Sequence, residues 1–253
     1  MDNRVAVILT NYNMLERADY MYSYVQRYSN YPLDFILVDN GSDQVPPAYF
    51  TTFRLPANVQ TCRGWLAGLK FADILEESYG EPYFAYVIAI TSATLVGGED
   101  HVGEMVRFLL EHEDAVGIMP ALTEDSDIEV WKQMNARGGS TPRQTWGLDM
   151  IFTMWRADWF NSIGRLDRNL IYAWGTSEET SWKARKADRS LWIHEGLRVK
   201  KEQDIGYRMD RMGMPVEERR RLGMENVCEV MNEKYGTDWM ERLTNEYVRP
   251  EWK

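Results

Sequence analysis

The pattern that most limits how this chain can fold is a short apolar run, a stretch of helical periodicity and a second apolar run, with each run ending in polar residues. "RVAVIL" (4–9) has the length of a strand and is ended by "TNYN". Over 14–30, Met14, Ala18, Met21, Tyr22, Val25 and Tyr28 recur at helical spacing. "LDFILVDNGSD" (33–43) is a second buried strand that runs into an Asp/Asn/Gly/Ser turn. Strand, helix, strand in this order implies a parallel pair. The crossover is right-handed, because a right-twisted strand feeding a right-handed helix packs back onto the sheet only that way.

The alternation continues down the chain. Residues 58–61 are expected as a short third strand and "GWLAGLKFADILEESYG" (64–80) as a helix ended by Gly80. "YFAYVIAI" (83–90) is apolar on both faces and therefore central in the sheet. "IAITSATLV" (88–96) continues it as a strand running out to its C-terminal end. A helix over 102–112 and a strand over 115–122 follow. The polar, Gly/Pro-bearing stretch 123–144 reads as a loop or lid. Residues 148–164 read as a strand then a helix, 178–188 as a helix with acids at its start, and 189–196 as a strand. From Pro215 the chain is helical to Gly236. The expected fold class is α/β, with a mainly parallel central sheet flanked by helices and a C-terminal helical extension. In such sheets ligands bind at the C-terminal strand edge. That edge collects "TNYN", "DNGSD" and "TSAT".

Composition narrows the function classes. A net charge of -10 gives no general attraction to DNA, RNA or anionic lipid. Nucleic acid is therefore a disfavoured partner. No apolar run reaches the roughly 18 residues of a membrane span, and the first residues show no leader pattern. Cys62 and Cys228 lack CxxC spacing, which fits neither a zinc site nor a disulfide scaffold and suits a reducing cytoplasm. A bridge between these two cysteines is left open.

Several separated pieces then resemble one family. "VAVILTNYN", "FILVDNGSD", "CRGWLAGLKFA" (62–72) and "RADWFNSIGRLDRNLIYAWGTSEETSWKAR" (156–185) are similar, in order and spacing, to segments of family 2 glycosyltransferases of the GT-A fold. The resemblance covers most of residues 4–200. It implies a GT-A domain over 1–200, with a nucleotide-sugar half (1–96) and an acceptor half (97–200), followed by the extension 201–253. It implies an inverting, hexosyltransferase-type enzyme that moves a sugar from a nucleotide-sugar donor, a UDP-sugar, to a saccharide or other hydroxyl acceptor. The lack of an apolar run of membrane-spanning length favours a soluble or peripheral one. Thr10, Asn11, Tyr12 and Asn13 would line the donor pocket, with Asn40, Lys70, Thr91 and Ser92. Asp39 would accept a hydrogen bond from the base, with Asp43 close by. Taken by itself, "DNGSD" is a solvated turn; "TNYN" on the adjacent strand end argues for a ligand.

Glu178 and Glu179 match the family's acid pair, with Glu179 as the general base and Glu178 in support. An inverting transfer needs one carboxylate to take the acceptor's proton. Alone, the pair would be two acids favoured by a helix N-terminus. Ser181 replaces a family Asp, and Arg185 keeps its place. The family's metal-binding D-x-D falls on Thr91-Ser92-Ala93 here. Neutral hydroxyls are poor sole ligands for Mg2+ or Mn2+. Three readings follow. Catalysis is metal-independent, with Arg63, Arg198, Lys200 and Lys201 balancing the diphosphate. Or Glu99, Asp100 and His194 hold a metal. Or the chain binds nucleotide sugar, or nothing, without transfer. Trp146, Trp155 and Trp174 are candidate acceptor-pocket residues. Glycosylation of a modified nucleic-acid base stays open as a further activity. A nucleotidyltransferase would need phosphate-loop glycines that "TNYNMLER" lacks. The C-terminal helices could cap the core, join two copies or bind a partner.

Overall fold

The structure, a computed structural model, describes residues 4–126, 131–202 and 214–252. A single mixed sheet organises them. Its strands are β1 (Val5–Asn11), β2 (Leu33–Asp39), β3 (Phe53–Arg54), β4 (Ala85–Ile90), β5 (Ala93–Val96), β6 (Ala115–Leu122), β7 (Arg143–Thr145), β8 (Phe152–Arg156) and β9 (Ser190–Lys201). The order is β3-β2-β1-β4-β8-β6-β9-β5, with β7 on β9. The β3-β2-β1-β4 half is parallel throughout, whereas β8 runs antiparallel between β4 and β6. β1 is buried along its whole length, its apolar part Val5–Leu9 as a central strand requires and its polar end Thr10–Asn11 as well.

Helix α1 (Leu15–Tyr28) connects β1 to β2, and α2 (Thr61–Tyr79) leads back across β1 to β4. These crossovers run in opposite directions, so right-handedness places the two helices on opposite faces. The strand order therefore reverses between β1 and β4, and a crevice opens outside their C-terminal ends. α2 presses on the sheet through glycines. A Cβ on Gly64 would lie 2.5 Å from Thr10 Cγ2, and one on Gly68 would lie 2.5 Å from Ile8 Cγ2. The glycines of the "GWLAG" run are thus there for close helix–sheet approach. Gly68→Leu is expected to cost about 3 kcal/mol by overpacking. The readout is a lower urea midpoint at unchanged m-value.

Helices α3 (His101–Glu111), α4 (Ala157–Ser162) and α5 (Thr176–Lys186) complete the main body. The C-terminal helices α6 (Val216–Tyr235) and α7 (Trp239–Asn245) pack on α5 through a second core of Leu170, Trp182, Val227, Met231, Trp239 and Leu243. The C-terminal helices thus cover α5 with part of their apolar surface.

Three expectations change. The third strand lies at 53–54, not at 58–61. The backbone at 59–60 is bound instead by the Asn40 side chain, which accepts from Val59 N at 3.0 Å and donates to Gln60 O at 3.3 Å. Residues 88–96 are not one strand: β4 stops at Ile90, the chain turns at Thr91–Ser92, and β5 pairs antiparallel with the end of β9. The expected loop at 123–144 ends in β7, which hydrogen-bonds β9, and residues 127–130 of it lie outside the described chain. No described helix is long and apolar enough to cross a membrane.

Candidate active site

The crevice at the β1/β4 edge opens into a cleft of about 490 Å3. Its floor comes from strand ends, with Thr10, Tyr12, Ile90, Thr91 and Ser92 among the lining. Local pairing sets what stands over that floor. Because β5 folds back on β9, Ala93 is in register with Lys201, and Glu202 N donates to Ser92 O at 3.0 Å. Lys201 is thereby delivered to the cleft beside the threonine–serine turn. Its ammonium sits 3.0 Å from Asp149 Oδ2.

Asp149 precedes β8 and is the anchor of a small polar cluster. Its Oδ1 accepts from Ser177 Oγ and from Met150 N, each at 2.8 Å. Burial alone would raise its carboxyl, but attraction to Lys201 and these hydrogen bonds outweigh it and hold Asp149 below the usual range. Glu178 stands beside it, in the first turn of α5, and also lines the cleft. Burial pushes Glu178 up to about 7, assisted by the negative charge of Asp149; the backbone N–H groups of Glu178 itself and of Gly175 offset this only in part. Two neighbouring carboxyl groups are thus driven apart, one fixed as a carboxylate and one poised near neutrality.

Gly175 makes this approach of α5 possible. Its φ of +86° is left-handed, and a Cβ there would meet Val227 Cγ2 at 2.8 Å and Met231 Cε at 3.0 Å.

The remaining predicted site residues divide into groups. Asn11, Asn13, Asp39 and Asn40 do not line the cleft but stitch its floor together. Asp39 is fully buried and accepts from Ser42 Oγ at 2.5 Å, Ser42 N at 3.2 Å and Asn11 Nδ2 at 3.5 Å, with Arg54 Nε at 3.2 Å. Asn13 bridges to the same turn, donating to Asp43 Oδ1 at 2.9 Å and accepting from Asp43 N at 3.0 Å. The Tyr12 hydroxyl reaches Asp43 at 3.1 Å. "TNYN" and "DNGSD" are therefore one hydrogen-bonded unit.

Glu179 points away from the cleft. It is 2% exposed and is held by Lys234, by Tyr235 Oη at 2.7 Å and by Lys183 Nζ at 3.5 Å. A helix turns 100° per residue, so consecutive acids cannot face the same site; the pair divides into a cleft residue and an anchor for α6.

The other cations are also elsewhere. Lys200 pairs with Asp125 at 2.7 Å, Arg198 donates to Leu197 O at 3.0 Å and Gly139 O at 3.3 Å, and Arg63 to Arg168 O at 3.4 Å; Lys70 is exposed on α2. Glu99, Asp100 and His194 do not assemble. Asp100 caps α3, accepting from Gly103 N at 2.8 Å, while His194 lies in a separate hollow with Glu104 and His112. Among the described residues no three His, Cys, Asp or Glu side chains come together to hold a metal. Cys62 and Cys228 are free thiols, so the open bridge is not formed. Of the three tryptophans proposed for an acceptor pocket, Trp146 and Trp174 line the cleft, whereas Trp155 is buried in the core.

Sequence reasoning missed Asp149, Ser177, Trp131, Trp239 and Arg219, all of which line the cleft. The signal for Asp149 was present: an acid directly before a buried strand in "GLDMIFTMW".

No protein-family model and no curated protein sequence matches the chain. Solved structures do. A crystal structure of GalNAc-T7 with UDP, GalNAc and Mn2+ superposes with a TM-score of 0.56 at 12% identity, covering 98% of this chain and 58% of that one. A crystal structure of S. aureus TarS 1-349 gives 0.55 at 12%, covering 98% and 76%. The chain spans less than two thirds of the GalNAc-T7 chain. At this identity the likeness is one of fold, and the fold is that of GT-A glycosyltransferases.

Proposed function

We propose that this protein is an inverting glycosyltransferase that moves a sugar from a nucleotide-sugar donor, a UDP-sugar, to an acceptor hydroxyl. The observation that carries this reading is Glu178, a carboxyl poised near pH 7 inside a cleft at the C-terminal strand edge. A carboxylate there is suited to take the acceptor's proton as its oxygen attacks the anomeric carbon. The bond from that carbon to the diphosphate then breaks, and the diphosphate leaves with the electron pair. This reading gives the role of base to Glu178 and makes Glu179 an anchor, because Glu179 is enclosed by Lys234, Tyr235 and Lys183.

The donor would lie over Thr10, Tyr12, Thr91 and Ser92. The Thr91-Ser92-Ala93 turn does not fit a divalent-metal ligand set, since it offers hydroxyls where carboxylates are needed, and the nearby carboxylate of Asp149 is paired with Lys201. Lys201, in register with Ala93, stands where it can balance diphosphate charge instead. With a panel of nucleotide sugars, the UDP-sugars are expected to raise the melting temperature, and the rise should survive EDTA, because a ligand bound only by the folded state stabilises it by mass action. A shift that requires Mn2+ would overturn the metal-independent part. No shift with any donor would overturn the whole.

A further inference from the structure

The two sides of the cleft differ in chemistry, and the difference points to the acceptor. The strand edge and Lys201 give a polar floor. The opposite wall is built by α6, α7 and the segment before α5, from Tyr172, Trp174, Met224, Val227, Trp239 and Met240. Trp131 and Trp146, stacked at 4.9 Å and 19°, continue it. Met224 and Met240 remain about half exposed, at 49% and 45%.

A saccharide carries hydroxyls on every side, and each one withdrawn from water needs a partner. Protein groups that serve several hydroxyls at once are carboxylates, amides and guanidinium groups. Among the described residues the guanidinium that lines the cleft is Arg219, which is engaged by the Tyr172 ring and by Gln60 Oε1 at 3.5 Å. Among the described residues that line the cleft, only Asp149 and Glu178 carry a carboxylate, and none carries a side-chain amide. Both carboxylates belong to the reacting centre. The wall itself offers the Tyr172 hydroxyl, Arg219 and Thr244. Its apolar remainder suits a flat apolar body, stacked on aromatic rings and fitted by two adaptable methionines.

We infer that the acceptor is an aromatic alcohol or phenol, not a saccharide. The inference rests on the transferase reading for the word acceptor. In the step it implies, the acceptor oxygen bonds to the anomeric carbon, its proton passes to Glu178, and the nucleoside diphosphate leaves.

The test is saturation-transfer NMR on the full chain with 2-naphthalenemethanol and, separately, maltotriose. The naphthyl probe is expected to receive saturation and maltotriose to receive none. In the double variant Met224→Gln, Met240→Gln the naphthyl affinity should fall at least fivefold with the melting temperature unchanged, since both side chains are half exposed. Equal or stronger saturation of maltotriose would overturn the inference. So would naphthyl binding that is absent, or that is unaffected in the double variant. Naphthyl binding as expected, combined with no thermal shift from any nucleotide sugar, would support the apolar subsite and overturn the transferase reading, so the two fail separately.

Discussion

Glu178→Gln is expected to lower kcat by about 10²–10⁴-fold, the usual contribution of a positioned general base, with donor affinity nearly intact. The amide keeps the size of the side chain and one acceptor oxygen but cannot take up the proton. The wild-type pH profile follows from the same group. A base works deprotonated, so kcat/KM should rise with pH and level off above about 7, where burial has placed Glu178. The identical group acts on stability with the opposite consequence. Its folded-state pKa lies above the unfolded value, so the fold binds the proton more tightly, and stability falls as pH rises from the ordinary carboxylate range through about 7. Above that range the ionised side chain costs on the order of 3 kcal/mol by linkage. The neutral Glu178→Gln protein should therefore melt higher than wild type at pH 8 while being inactive. Unchanged turnover in Glu178→Gln would remove the assignment. Glu179→Gln separates the two roles. Its loss should appear in the melting temperature, through Lys234 and Tyr235, ahead of any loss in turnover.

Arg185→Met is expected to be among the most destabilising single changes. Arg185 is 3% exposed, and burial depresses its guanidinium to about 10. It donates to Glu246 O at 3.1 Å and also to the carbonyls of Trp146 and Leu243. One side chain thus ties α5 to the α7 end and to a tryptophan of the cleft wall. Methionine fills similar space but leaves three carbonyls without their donor. Each buried acceptor so stranded costs about 1–3 kcal/mol, and relief from burying a cation offsets part of this, for a net of about 3 kcal/mol. In a domain of this size that lowers the melting temperature by roughly 6–12 °C. Near-wild-type melting in Arg185→Met would mean that these contacts do not hold the C-terminal helices.

Much of the fold was legible in the sequence because local chemistry dictates it. An all-apolar run such as Val5–Leu9 can only be buried on both faces, and Gly80 and Gly236 end their helices where the side-chain periodicity ends. The strand-helix order fixes the crevice between β1 and β4, since crossovers have one hand. Those same facts brought Thr10, Tyr12, Thr91 and Ser92 to one edge. What failed were the places where the backbone's partner is remote in sequence. Asn40 captured residues 59–60, and β9 captured residues 93–96.

The sequence by itself determined most of the elements, the sheet edge that holds the cleft, the acid pair at the start of α5 and the lack of carboxylates at Thr91–Ala93. Only the tertiary structure decided which acid of the pair serves the cleft, that Asp149 and Lys201 meet there, and that the C-terminal helices form its apolar wall. The physical reason is that a side chain's neighbours on its own helix or strand follow from period and propensity. Burial, charge pairing and the resulting pKa depend on elements 50 to 60 residues away, such as Lys201 from Asp149 and Lys234 from Glu179.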